Sequence, residues 1–164
     1  MGILPSARSR PRRGRPRAAG NTMLELLCAL GIIAAMAAAG TPKFARSIAA
    51  RRADSAARRV AADIEWLRAA ARLTSTSQSM TFNTSTNSYS LAGFTSPDVP
   101  GAAYSVNLAS STYKSTMTSV SFAGSTSLSF SGYGVPSSGG TVSLKSGKTT
   151  RTVTVDAAGV VTWQ

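Results

Sequence analysis

From Thr22 to Pro42 the chain is apolar at nearly every position. Its only charge there is Glu25, and the 17 residues from Leu26 to Pro42 carry none. At a helical rise of ~1.5 Å per residue this segment is roughly 30 Å long, about the thickness of a bilayer's hydrocarbon core. Beyond Pro42 the pattern becomes one-sided. Ala57, Val60, Ile64, Leu67 and Ala71 recur at a 3-4-3-4 spacing, with Phe44 and Ile48 a turn or more earlier. That spacing predicts an amphipathic helix with one buried face. Arg51, Arg52, Arg58, Arg59, Arg68 and Arg72 fall mainly off the stripe and read as its solvated face. A continuous helix from Thr22 to about Leu73 would be about 78 Å long. Pro42 removes one backbone hydrogen bond, so a kink is expected there. The run Thr74–Ser77 is expected to end the helix.

After residue 73 the period shortens to two. Met80 and Phe82 lead into a polar turn, Asn83–Ser88, and Tyr89 and Leu91 follow it, which predicts a first hairpin. Alternation resumes at Tyr104, Val106 and Leu108, at Val120 and Phe122, and at Leu128 and Phe130. Val142 and Leu144 predict a strand that breaks at Ser146-Gly147-Lys148. Val153 and Val155 lead into Asp156-Ala-Ala-Gly159, a hairpin turn with glycine at its left-handed position, and Val161 and Trp163 close the chain. Ser and Thr make up 37 of the 91 residues from 74 to 164, which supplies the polar positions of exposed β-faces. The expected fold is α+β. A long N-terminal helix, its first half membrane-spanning, packs its second half on a C-terminal antiparallel β-domain of two small sheets.

Charge divides the chain in the same way. Of 18 Lys and Arg against 6 Asp and Glu, residues 1–20 hold six arginines and no acid, and residues 74–164 hold four basic and two acidic residues. The Arg/Pro/Gly-rich first 20 residues lack a core-forming pattern and read as a cytoplasm-retained leader. A basic flank before the apolar segment predicts an N-in, C-out orientation. The organisation expected is therefore a leader over 1–20, a transmembrane half-helix over 21–42, an amphipathic half-helix over 43–73 and a β-domain over 74–164.

The inventory of side chains excludes most catalytic chemistry. There is no His, so imidazole acid–base catalysis and His-ligated metals are impossible. A single cysteine, Cys28, permits no intrachain disulfide. The β-domain's only acids are Asp98 and Asp156, too few for a two-carboxylate hydrolase or a calcium cage. Without His, only a Ser–Lys dyad would remain for a nucleophile, and no motif places one. An enzyme is not expected, nor is a cofactor or a metal. Lys145, Lys148 and Arg151 form a weak candidate for anion or DNA contact, but without an aromatic stacking array they read as loop charges. Nucleic acid is not an expected partner.

The informative spot is Gly20-Asn21-Thr22-Met23-Leu24-Glu25. A small residue ends a basic leader, an apolar helix begins at once, and a carboxylate stands five residues after the glycine. A lone acid at mid-depth in a bilayer costs at least ~2.5–3.5 kcal/mol, so Glu25 needs a partner. Cutting after Gly20 would create one, because the new α-amine of Asn21 is a cation at the same depth. It could neutralise Glu25 of a neighbouring helix in a staggered stack.

These residues resemble the cleavage and assembly signal of type IV pilins and pseudopilins: the Gly, the Thr two after it, the Glu five after it, the apolar run and Pro42. The β-domain resembles the GspH/FimT family in "YSL" after the first turn, "LSFSGYGVPSSGGTVSL" and "RTVTVDAAGVV". The resemblance covers residues 20 to 164. It implies cleavage after Gly20 by a prepilin peptidase, which also methylates the new N-terminus. Asn21 stands where the family usually has Phe or Met, which leaves its methylation open. The resemblance further implies assembly with other pseudopilins or pilins through the N-terminal helix, with Glu25 as the assembly residue, Pro42 as the kink, and Gly31 and the alanines at 34, 35 and 37–39 allowing close helix approach. The implied role is structural: a minor pseudopilin of type II secretion in the bacterial inner membrane, its β-domain periplasmic. Two alternatives stay open. One is a FimT-like minor type IV pilin, for pilus assembly or DNA uptake. The other is an exported or signal-anchored β-rich domain, released near Ala37–Ala39 in the first case.

Overall fold

A computed structural model describes residues 23–97 and 99–164 of the chain. Among the described residues one helix, α1, runs over Met23–Thr74. Eight strands follow: β1 Gln78–Asn83, β2 Ser88–Thr95, β3 Ala103–Asn107, β4 Thr116–Phe122, β5 Ser127–Phe130, β6 Gly140–Ser146, β7 Thr149–Val155 and β8 Val161–Trp163. The chain divides between Gly40 and Thr41 into two units. The second unit, Thr41–Gln164, contains the rest of α1 and every strand.

α1 ends where the run of Thr and Ser begins. The Thr74 hydroxyl donates back to the Ala70 carbonyl at 2.9 Å, and Ser75 turns left-handed with φ 53°. A residue in that conformation cannot continue a right-handed helix, so the chain leaves for β1.

The strands form two antiparallel sheets of four, ordered β3-β2-β1-β5 and β4-β6-β7-β8. The first hairpin pairs Met80 with Leu91 and Phe82 with Tyr89, the apolar positions that the alternation singled out. Asn83 shapes its turn, its side-chain oxygen accepting from the amides of Ser85 and Thr86 at 3.0 and 3.2 Å. The chain then crosses to the second sheet for β4 and returns for β5, which pairs with β1 on the side away from β2. β6, β7 and β8 complete the second sheet as a meander. Gly159 takes φ +78° in the β7–β8 turn, the left-handed position expected for it.

One core joins these elements. Ala57, Val60, Ile64, Leu67 and Ala71 are all buried, together with Ala53, Ala56 and Ala61 on the same side of the helix. They meet inward residues of both sheets, among them Met80, Leu91, Leu128 and Phe130 from the first and Val142, Leu144 and Val153 from the second. Phe82 of β1 and Phe122 of β4 stack at 5.7 Å and connect the sheets. Phe44 does not join this core. It is 71% exposed, because the stripe begins to find cover only near Ile48.

One acid lies inside the apolar stripe. Asp63 is 6% exposed, and its Oδ2 accepts from the phenols of Tyr89 at 2.6 Å and Tyr104 at 2.8 Å. Arg59, one helical turn earlier, places its Nε 3.3 Å from the same oxygen. That Nε makes no hydrogen bond, so the contact is electrostatic; Nη2 donates instead to the Tyr104 hydroxyl. Trp66 packs over Tyr104 and Phe94 and closes the group from the outside. A buried carboxylate is tolerated only when its lone pairs are met and its charge is answered, and this cluster does both. It thereby ties α1 to β2 and β3.

The cluster makes the phenols hard to ionise. Burial, with Asp63 beside it, pushes Tyr104 up to about 12, and the same causes push the more enclosed Tyr89 higher still. Burial alone would weaken the charge on Arg59, but the Asp63 carboxylate overrides it and holds the guanidinium above its ordinary value. Both phenols therefore titrate higher when folded than their unfolded value of about 10. Their contribution to stability is complete below that pH and is lost as pH climbs through 12 and beyond. Tyr89→Phe leaves Asp63 short of a donor and is expected to lower unfolding stability by about 1–3 kcal/mol in urea titrations at neutral pH. The double variant Tyr89→Phe/Tyr104→Phe is expected to lose less of its remaining stability than the parent between pH 10 and 12, followed by circular dichroism.

Candidate functional site

The first half of α1 carries apolar side chains with nothing over them. Met23, Leu24, Leu26, Leu27, Leu30, Ile32, Ile33 and Met36 are between 55% and 80% exposed and lie on all sides of the helix. Each would gain about 1.5–3 kcal/mol from full burial, so this segment is built to be covered by something other than its own chain. Glu25 stands in the first turn, exposed among these residues. Gly20 and Asn21 lie outside the described residues, and so does the leader. Pro42 falls within α1. Among the described residues no helix is long and apolar enough to cross a membrane, and no group of three or more Cys, Asp and Glu could hold a metal ion.

At the far end of α1, two arginines that the sequence assigned to a solvated face instead fasten the helix to two loops. Arg68 donates through Nη1 to the Gly159 carbonyl at 2.8 Å, through Nη2 to Ala158 at 2.8 Å, and through Nε to Gly134 at 3.1 Å. Arg72 donates to the Tyr133 carbonyl at 3.3 Å. The planar guanidinium suits this task because its donors diverge in a fixed fork. Gly134 explains part of the motif it sits in. It has φ +74°, and a Cβ there would collide with the Arg72 side chain. Gly159, with φ +78°, lies less tightly against Arg68, where a Cβ would stand 3.1 Å from the guanidinium. The two stretches "SGYGVPSSGG" and "VDAAGVV" are thus brought together on one helix. Sequence reasoning missed this clamp because neither arginine shows in its own neighbourhood that it faces carbonyls some 60 to 90 residues away.

Lys145 and Lys148 are exposed at the end of the β6–β7 hairpin. Arg151, the third member of that candidate set, is engaged: its Nε bonds the carboxylate of Asp54 on α1. Removing Arg151 from the available cations weakens the case for these three residues as a DNA-capture group. A second cation reaches an aromatic ring, Arg58 lying 4.8 Å over Trp163 of β8.

The clamp yields a local prediction. Arg68→Ala removes three hydrogen bonds from a charged donor to carbonyls that water can partly re-solvate, and is expected to cost about 1–3 kcal/mol. Amide hydrogen exchange in residues 156–160 is expected to accelerate, while the β1–β2 hairpin keeps its protection.

Comparison with known proteins agrees with this architecture. No curated protein matches the chain by sequence. The fold is similar to that of the type IV minor pilin FimU of Pseudomonas aeruginosa in two crystal forms. One gives a TM-score of 0.53 at 16% identity over 70% of this chain and 89% of FimU; the other gives 0.51 at 17% identity over 68% and 91%. The family model described as type II transport protein GspH matches residues 56–159, from the buried face of α1 to the Arg68-bound glycine of the last turn. That match takes in well over half of the sequence, and the chain belongs to the GspH family.

Proposed function

We propose that this chain is a structural minor pseudopilin of a type II secretion system, matured by a prepilin peptidase and built into a periplasmic pseudopilus. The observation that carries the reading is the uncovered apolar half of α1 with an acid in its first turn. In this reading residues 22–42 anchor the precursor in the bacterial inner membrane, single-pass, with the leader cytoplasmic and the β-domain periplasmic. As a helix, Thr22 to Pro42, with Glu25 its only charge, would rise about 30 Å, the thickness of a hydrocarbon core. Cleavage after Gly20 exposes the α-amine of Asn21, whether or not it is then methylated. In the filament that amine meets Glu25 of a neighbouring subunit, and the pair sets the stagger between helices. Pro42 supplies the kink between the anchored and amphipathic halves, and Gly31 with its neighbouring alanines lets helices approach closely. The protein works by packing and by one charge pair, without catalysis.

A second reading, a minor pilin of a type IV pilus, draws on the likeness to FimU. It shares the same maturation and assembly chemistry and differs in which filament recruits the subunit. Pull-down of the full chain with the major subunits of each system separates the two.

Two substitutions test the shared chemistry. Gly20→Ala is expected to block processing: the precursor accumulates on a gel, and no N-terminus beginning at Asn21 is found by sequencing. Normal maturation would overturn the leader assignment. Glu25→Ala is expected to leave processing and the β-domain intact but to lower incorporation into filaments at least about tenfold, the effect of losing 1.4 kcal/mol of pairing. Undiminished incorporation would overturn the charge-pair role.

A further inference from the structure

The unit Thr41–Gln164 has a strongly polarised surface. Between Glu25 and Asp54 the chain contains no acid at all. Asp54 is taken up by Arg151, and Asp63 is buried with Arg59. Glu65 borders the hollow beside Arg68 and Arg72, and Asp156 sits in the turn that Arg68 holds. Every described acid of the unit is therefore either paired or placed toward the C-terminal end of α1.

The other end gathers cations. The β6–β7 turn lies directly against the helix there, since a Cβ on Gly147 would stand 3.0 Å from the Cβ of Ala49. Arg46 and Arg52 lie three residues either side of Ala49 and flank that contact, while Arg51 projects from the opposite side of the helix. The Ser146 hydroxyl donates to the Lys114 carbonyl at 3.0 Å, which brings the loop before β4 to the same place. Lys114, Lys145 and Lys148 are exposed. Arg46 to Arg52 spans about 9 Å of helix rise, close to the Debye length of about 8–10 Å at 0.15–0.1 M salt, so neighbouring charges in this set act together.

We propose that this basic collar is a docking surface for anionic phospholipid headgroups. The proposal rests on the membrane-anchored reading above and adds a lipid specificity to it. Chain continuity favours a lipid surface: Arg46 comes about 6 Å of helix rise after Pro42, within the roughly 5–8 Å that headgroups add on each side of the hydrocarbon, and Arg52, about 15 Å after it, stands within about one further Debye length of that layer. Phe44, exposed beside Lys43, places an apolar ring at the same level, where it can enter the acyl boundary. The collar also surrounds the helix instead of forming a groove, which fits a plane crossed by the helix better than a rod of nucleic acid lying along it. Long basic side chains can keep their aliphatic stems near the apolar boundary while their charges reach phosphate.

The test uses the full chain with Cys28→Ser and a reporter thiol, Thr150→Cys, on the exposed position opposite Lys145. The protein is reconstituted in nanodiscs of phosphatidylcholine alone or with 30% phosphatidylglycerol, and labelling by a water-soluble maleimide is timed. Labelling is expected to be at least about threefold slower with phosphatidylglycerol at 0.1 M salt, and the difference is expected to vanish in 1 M salt. A reporter at Ser85→Cys, on the first hairpin turn, is expected to label equally in both discs. Adding Arg46→Gln, Lys145→Gln and Lys148→Gln is expected to abolish the protection at Thr150→Cys with an unchanged circular dichroism spectrum. Equal labelling of Thr150→Cys in both discs would overturn the lipid proposal while leaving the anchor intact. Failure of the protein to co-elute with either disc would instead overturn the anchored reading. Stronger protection by a DNA duplex than by phosphatidylglycerol at equal phosphate would reassign the collar to nucleic acid.

Discussion

Apolar surface on α1 must be covered, and the chain covers only part of it. After Gly40 the helix turns one stripe inward, and Ala57, Val60, Ile64, Leu67 and Ala71 disappear beneath two sheets. Before Gly40 leucines and isoleucines stand exposed on all sides of it. The two halves obey one rule, that large apolar side chains leave water, but the second satisfies it within the molecule and the first requires partners outside it. In the proposed function that requirement is met twice, in lipid and then among neighbouring subunits. A domain of this size with the stripe alone would be an ordinary α+β protein.

The fold was legible to the extent that its signals were local and periodic. Alternation located the hairpin that pairs Phe82 with Tyr89, and the turn Asp156–Gly159 was visible in its glycine. What stayed hidden were contacts between polar groups far apart in sequence. Arg68 and Arg72 fall off the apolar stripe, and position alone makes an arginine there look solvated. Only the folded chain shows carbonyls of two separate loops converging on Arg68. Asp63 is different, because its position held a clue. It lies three residues after Val60 and four before Leu67, on the buried face itself, where a carboxylate is admissible only with donors opposite. Two tyrosines in the strands were the available phenols. The proposed processing residues are the converse case: Gly20 and Asn21 were conspicuous in the sequence, and the role proposed for them is chemical.

The arginines of α1 thus have distinct tasks that composition merges into one basic count. Arg59 answers a buried charge, Arg68 and Arg72 hold loops, and Arg58 lies over Trp163. None of these four needs an external anion. Arg151, which looked free in sequence, ties β7 to Asp54. The pairing matters beyond stability. Among the described residues it consumes the acid nearest the entrance of the helix into the folded unit, Asp54, and leaves the cations there without a described acid partner.

That residual charge bears on orientation. In the proposed topology the leader's six arginines lie on the cytoplasmic side, as the positive-inside bias requires. Yet the opposite flank is basic too, with Lys43, Arg46, Arg51 and Arg52 following Pro42 and no acid among them. The bias concerns the short segments that must be retained or translocated, and residues belonging to a folded unit are translocated largely regardless of charge. Those residues belong to the amphipathic half of α1, whose buried face is already committed to the sheets. Their charge then serves the surface on which the unit comes to rest, and a flank that would weaken a simple charge count becomes intelligible as a contact with phosphate.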